Sequence, residues 1–207
     1  MEIKAFFGLL ASAFILIGSI PYLVDIHHKS AKPHILSWFG WSLITALGAL
    51  AMLAEGSTWS SAILWANTLM CLVIAVYAAT KKAGVWSTTV YDYVLFGLGI
   101  IGLVLWQTLD MPILALICAI IADLFFGLPT IIKTYHDPSS ETRLVWMFST
   151  LSGLSGLFAI GILAFYDAAY PIYLFLYDFT MLLLVTRILK KSITKKASAI
   201  APRVINE

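Results

Sequence analysis

Charge is what this chain has least of. Only 12% of its 207 residues are Asp, Glu, Lys or Arg, about half the roughly 25% of a soluble domain. Cysteine is scarce too: Cys71 and Cys118 lie alone in apolar runs, without the spacing of a metal site or disulfide framework. No nucleophile motif, metal-ligand cluster or phosphate-binding glycine loop occurs, which disfavours an enzyme and gives no place for a metal or cofactor. No low-complexity linker or soluble domain interrupts the chain. The first apolar run leads into loop residues rather than a small-residue cleavage site, so no cleaved signal is expected.

What remains is apolar. Hydrophobic residues make up 61% of the sequence, and mean hydropathy is +0.93. A spanning helix needs roughly 20 largely apolar residues. Seven stretches supply them: 5–26, 34–53, 59–80, 90–109, 111–133, 143–165 and 169–189. Hydrocarbon leaves no partner for a free backbone group, so these runs are expected to be helices. They are too long and too continuously apolar for barrel strands.

The few charges orient the bundle. With seven spans, twelve of the thirteen Lys and Arg residues fall on one side, including Lys29, Lys32, Lys81, Lys82, Lys133 and Arg143, and only Lys4 falls opposite. The opposite loops carry Glu55, Asp110 and Asp167. The positive-inside rule then puts the N-terminus outside and the C-terminus in the cytosol of a plasma or inner membrane. The basic tail is suited to anionic lipid. These charges read as topology determinants and not as a nucleic-acid surface.

The stretch 21–38, PYLVDIHHKSAKPHILSW, returns 108 positions later as PTIIKTYHDPSSETRLVW, without a gap. Over 21–51 against 129–159, seven positions are identical; the informative ones are Pro21/Pro129, His28/His136 and Trp38/Trp146. The chain thus divides into a triple-helix unit at 1–82, a linker helix at 83–110, a second unit at 111–190 and a basic cytosolic tail at 191–207. One linker helix between them makes the units parallel repeats, with a solute site expected near mid-membrane between them. A proline inside a helix removes a backbone bond and weakens that turn. Pro21 and Pro129, both toward the cytosolic side, suit hinges of a gate.

This seven-helix, three-one-three layout, with a proline near the cytosolic end of the first and fifth spans, resembles the SWEET sugar transporters and the related PQ-loop family. The prolines are followed here by Tyr22 and Thr130, where PQ-loop proteins carry glutamine. The resemblance implies an all-α integral membrane fold of two parallel repeats and transport by alternating access. It also implies that Asn67, on the third span, contacts solute. Asp178 takes the matching place on the seventh, at an offset of 111.

A carboxylate near the bilayer centre costs about 2.5–3.5 kcal/mol or more, so Asp123 and Asp178 should face the bundle interior or water. Asp178 can bind solute or carry a proton or cation, and Asp123 can carry a proton or cation; a structural carboxylate bonded to a neighbouring helix is the alternative for each. Trp65, two residues from Asn67, and Tyr177, beside Asp178, offer aromatic faces to a sugar ring or a cation. Trp38, Trp41, Trp59, Trp86, Trp106 and Trp146 lie near span ends and read as an interfacial belt. His27, His28, His34 and His136 read as solvated interface residues. The expected function is a carrier of a small polar solute such as a sugar, amino acid or amine. A non-transporting receptor or trafficking protein of the same fold is the alternative, ahead of an intramembrane enzyme. The expected partners are the solute and the lipid bilayer, and a homo-oligomer is compatible with this reading.

Overall fold

A computed structural model of the chain describes residues 3–86 and 112–200, with side chains through 186 except at 112, 114 and 115, and eight positions from Val90 to Thr108. In order come α1 (Ile3–His27), α2 (Ile35–Ala54), α3 (Ala62–Thr80), α4 (Pro112–His136), a 3-10 turn at Pro138–Ser140, α5 (Arg143–Ala159) and α6 (Phe165–Ile200). The eight intervening positions are helical. The rest of the expected linker span 90–109, with Trp106, Asp110 and Met111 and the side chains of the basic tail, lies outside the described residues. Five of the six helices, all but α5, are long and apolar enough to cross a bilayer. The chain is an all-α membrane protein.

Six of the seven expected spans fall on α1–α6 with shifted ends, and 90–109 lies mostly outside the described residues. The largest correction falls on 143–165. Helix α5 stops at Ala159 after 17 residues, because Gly161 and Ile162 turn their amides onto the Asp167 carboxylate at 2.6 and 2.8 Å. At 1.5 Å per residue it is about 26 Å long. The tail also differs from expectation, since α6 stays helical to Ile200.

The helices close into a ring. Going round, α1 packs on α3, α3 on α2, α2 on α4, α4 on α6, α6 on α5, and α5 back on α1. The outer surface is apolar: Leu16, Ile17, Ile20 and Val24 of α1 are all exposed. Hydroxyls and small residues turn inward, where they allow close helix contact. Buried Ser152 of α5 donates to the Ala11 carbonyl of α1 at 2.7 Å, and Thr45 of α2 meets Thr68 of α3 at 3.0 Å.

Each end of the ring carries a polar closure. At the basic end, Glu141 is buried and accepts from Lys133 Nζ (2.5 Å), Tyr22 Oη (2.8 Å) and Trp146 Nε1 (3.3 Å). Lys133 also donates to the Lys32 carbonyl at 2.5 Å, and Thr142 donates to Asp25 at 2.6 Å. At the other end Ser60 donates to Asp167, and Lys4 Nζ reaches the Gly161 carbonyl at 2.6 Å. Helices α1 and α3 finish on left-handed lysines, Lys29 at φ 58° and Lys82 at φ 50°, at the C-terminal position where glycine is usual. His34 is not a solvated histidine: it is buried, and its Nδ1 caps α2 by accepting from the Ser37 amide at 3.3 Å.

Candidate functional site

Between the two closures lies a small cavity walled by side chains from α2, α3, α4, α5 and α6. Helix periodicity decides which of the expected residues reach it. Asn67, Asp123, Asp178 and Tyr177 all line it. Trp65 does not: two residues from Asn67 on a helix is a rotation of about 200°, and Trp65 is 41% exposed on the outside of the ring. Its assignment to the solute site is corrected accordingly. Pro21 and Pro129 do not line the cavity either, and α1 and α4 run through them as continuous helices.

The tryptophans expected at the interface supply most of the aromatic wall. Trp38, Trp41 and Trp146 are buried and line the cavity. Trp38 and Trp146, the pair matched by the 108-residue offset, face one another with ring centroids 6.2 Å apart. Trp41 stands edge-on to Trp38 at 5.2 Å and to Tyr177 at 5.5 Å. The Tyr177 hydroxyl is anchored by donating to the Gly127 carbonyl at 3.1 Å. A Cβ built at 127 would stand 2.7–2.9 Å from the Tyr177 ring and hydroxyl, so a larger residue there must displace that side chain. Among the aromatic residues, the repeat match was the signal that singled out Trp38 and Trp146; Trp41 carried none.

The two aspartates are not alike. Asp123 on α4 is saturated: Tyr170 and Tyr173 of α6 donate to its two oxygens at 2.5 and 3.1 Å, and Trp41 Nε1 donates to its backbone carbonyl at 3.2 Å. It ties α4 to α6 and α2. Asp178 is 8% exposed, lines the cavity, and among the described residues takes no hydrogen bond or ion pair. The Asn67 Nδ2 donor is likewise buried without a partner. An unpaired carboxyl and an unpaired amide facing one space make a site with unused hydrogen-bonding capacity, which is costly to keep inside a protein unless something fills it.

The cavity is tight. It has about 40 Å³ of space for water centres, room for about three waters at roughly 10–15 Å³ each. Ligand pockets usually enclose about 300–1,000 Å³, so any solute larger than a few atoms enters only with movement of the walls. Trp146 connects those walls to one closure, because its ring lines the cavity while its Nε1 is bonded to Glu141. No group of three or more His, Cys, Asp or Glu side chains placed to hold a metal occurs among the described residues. No protein-family model, curated protein or solved structure matches the chain.

Proposed function

We propose that this protein is a membrane carrier that moves a small polar solute by alternating access, with solute held at Asp178 and Asn67. The observation that carries the reading is the Asp178 carboxyl, without a partner among the described residues, at a small cavity in a bundle that carries a polar cluster at each end. A structural carboxylate would be bonded as Asp123 is. In this reading the bundle has seven spans, arranged as two parallel triple-helix units around the linker helix, in the manner of the SWEET and PQ-loop transporters. The ring supports it: α1 of the first unit packs on α5 of the second, and α2 on α4, an exchange of first and second helices that a two-fold relation between units produces.

The basic end is then cytosolic, and the Lys133–Glu141 cluster is the inner closure. Releasing Glu141 frees Trp146 and so joins opening to the solute site. Pro21 lies one residue from the Tyr22 that bonds Glu141, and Pro129 lies one turn from Lys133, which suits both as hinges for that closure. Asp178 can take a proton or a cation directly, whereas Asp123 holds the site in shape.

The test is uptake into proteoliposomes by the full chain and by Asp178→Asn. Because Asp178 makes no bond among the described residues, the variant should fold and elute as the parent does while its uptake is lost or changed. Normal uptake by the variant sinks the assignment. Binding without movement across sealed vesicles would make the protein a receptor instead.

A further inference from the structure

The chemistry of the cavity wall narrows the solute class. Two carboxyl groups, Asp178 and Asp123, face the space, and no Lys, Arg or His is among its described lining residues. Lys133, a cation toward the basic end, is held by Glu141 and the Lys32 carbonyl. A solute carrying a carboxylate would meet two carboxyl groups and, among the described residues, no cation to pair with. A neutral polyol could hydrogen-bond Asp178 but would bring no opposite charge to the carboxyl. A cation compensates it. Four aromatic residues, Trp38, Trp41, Trp146 and Tyr177, also line the space, and the face of such a ring attracts an ammonium group.

We propose that the cavity takes a small organic cation without a carboxylate, a primary or quaternary ammonium of a few carbons. Its charge rests against Asp178 and its alkyl surface against Trp41 and Tyr177. The Asn67 Nδ2, a donor, meets a hydroxyl or carbonyl where the solute carries one. The proposal rests on the assignment of Asp178 as the solute site. It adds that zwitterions and plain sugars bind more weakly than such a cation.

Tryptophan fluorescence of the purified full chain in detergent tests it, since three tryptophans line the cavity. The probes are tetramethylammonium and choline, with three comparisons: 3,3-dimethylbutan-1-ol, which has choline's shape without its charge; glycine betaine, which adds a carboxylate; and glucose. The two cations should bind about ten-fold or more tightly than every comparison compound, the scale of a charged contact. Asp178→Asn should erase that preference, and Trp41→Leu should weaken the cations about ten-fold. Equal binding of dimethylbutanol, betaine or glucose overturns the proposal, as does a preference that survives Asp178→Asn. Should that variant not fold, the ligand series on the parent protein decides alone. Vesicle uptake separates the two readings. Glucose movement with no response to cations leaves a carrier and removes the cation site. Cation binding without movement leaves the cation site and removes the carrier.

Discussion

Glu141→Gln is the perturbation whose size follows most directly from the structure. The Glu141 side chain is fully buried and its partner Lys133 is 16% exposed, with a 2.5 Å contact between them. Removing one partner from a buried pair costs about 3–5 kcal/mol. Lys133 keeps the Lys32 carbonyl and some water, and glutamine still offers an oxygen to Tyr22 and Trp146, so the low end of that range applies. An open form that leaves both groups in water loses nothing, and the whole cost falls on the closed form. About 3 kcal/mol is then a hundred-fold shift toward opening. The chain carries its own reporter: Cys71 is 5% exposed and lines the cavity. With Cys118 replaced by serine, the rate of Cys71 alkylation by a maleimide follows the open population. Glu141→Gln should raise that rate by about ten- to a hundred-fold. The double variant with Lys133→Met should exceed it little, since one interaction is lost only once. An unchanged rate in both variants refutes the assignment of this cluster as a closure.

Three further outcomes follow from single contacts. Asp123→Asn removes a charged acceptor from Tyr170 and Tyr173 and should cost about 1.5–3 kcal/mol in thermal melts, while Asp178→Asn leaves the melting temperature near the parent's; equal losses would erase the distinction between the two. Gly127→Ala places a methyl against the Tyr177 ring and hydroxyl, which should cost about 1–3 kcal/mol and weaken ligand quenching; an unperturbed melt would mean that the helices separate freely there. Lys82→Gly, at φ 50°, should stabilise by about 0.5–1 kcal/mol, because the left-handed penalty exceeds glycine's entropy; destabilisation in the same melt would show that the lysine makes a contact worth more than its strain.

The helices were legible because hydrocarbon forces a long apolar run into one conformation, so composition fixes both their type and their approximate length. Their ends were less so. Nothing in the apolar pattern of 143–165 announces that Asp167 will pull Gly161 and Ile162 out of helix. At the site, burial cost pointed correctly to Asp123, Asp178 and Asn67 as inward-facing. It could not separate a saturated aspartate from an unpaired one, since that depends on tyrosines of another helix, 47 and 50 positions away. Trp65 was misjudged by proximity in sequence, where rotation about the helix axis decides. Trp38, Trp41 and Trp146 were misjudged because nearness to a span end indicates depth in the membrane but not which way a ring points.

The brevity of α5 has a consequence for the lipid around it. At about 26 Å it falls short of the roughly 30 Å hydrocarbon thickness, and hydrophobic mismatch of this kind draws the bilayer inward beside the shorter element. The residues that follow it are apolar and bare: Leu163 is 91% exposed and Ile162 62%. Their apolar side chains suit the interface, and a bilayer that matched α5 would thin locally along this flank. A thinner membrane would relieve that mismatch, which would make lipid chain length a lever on the loop whose amides Asp167 holds.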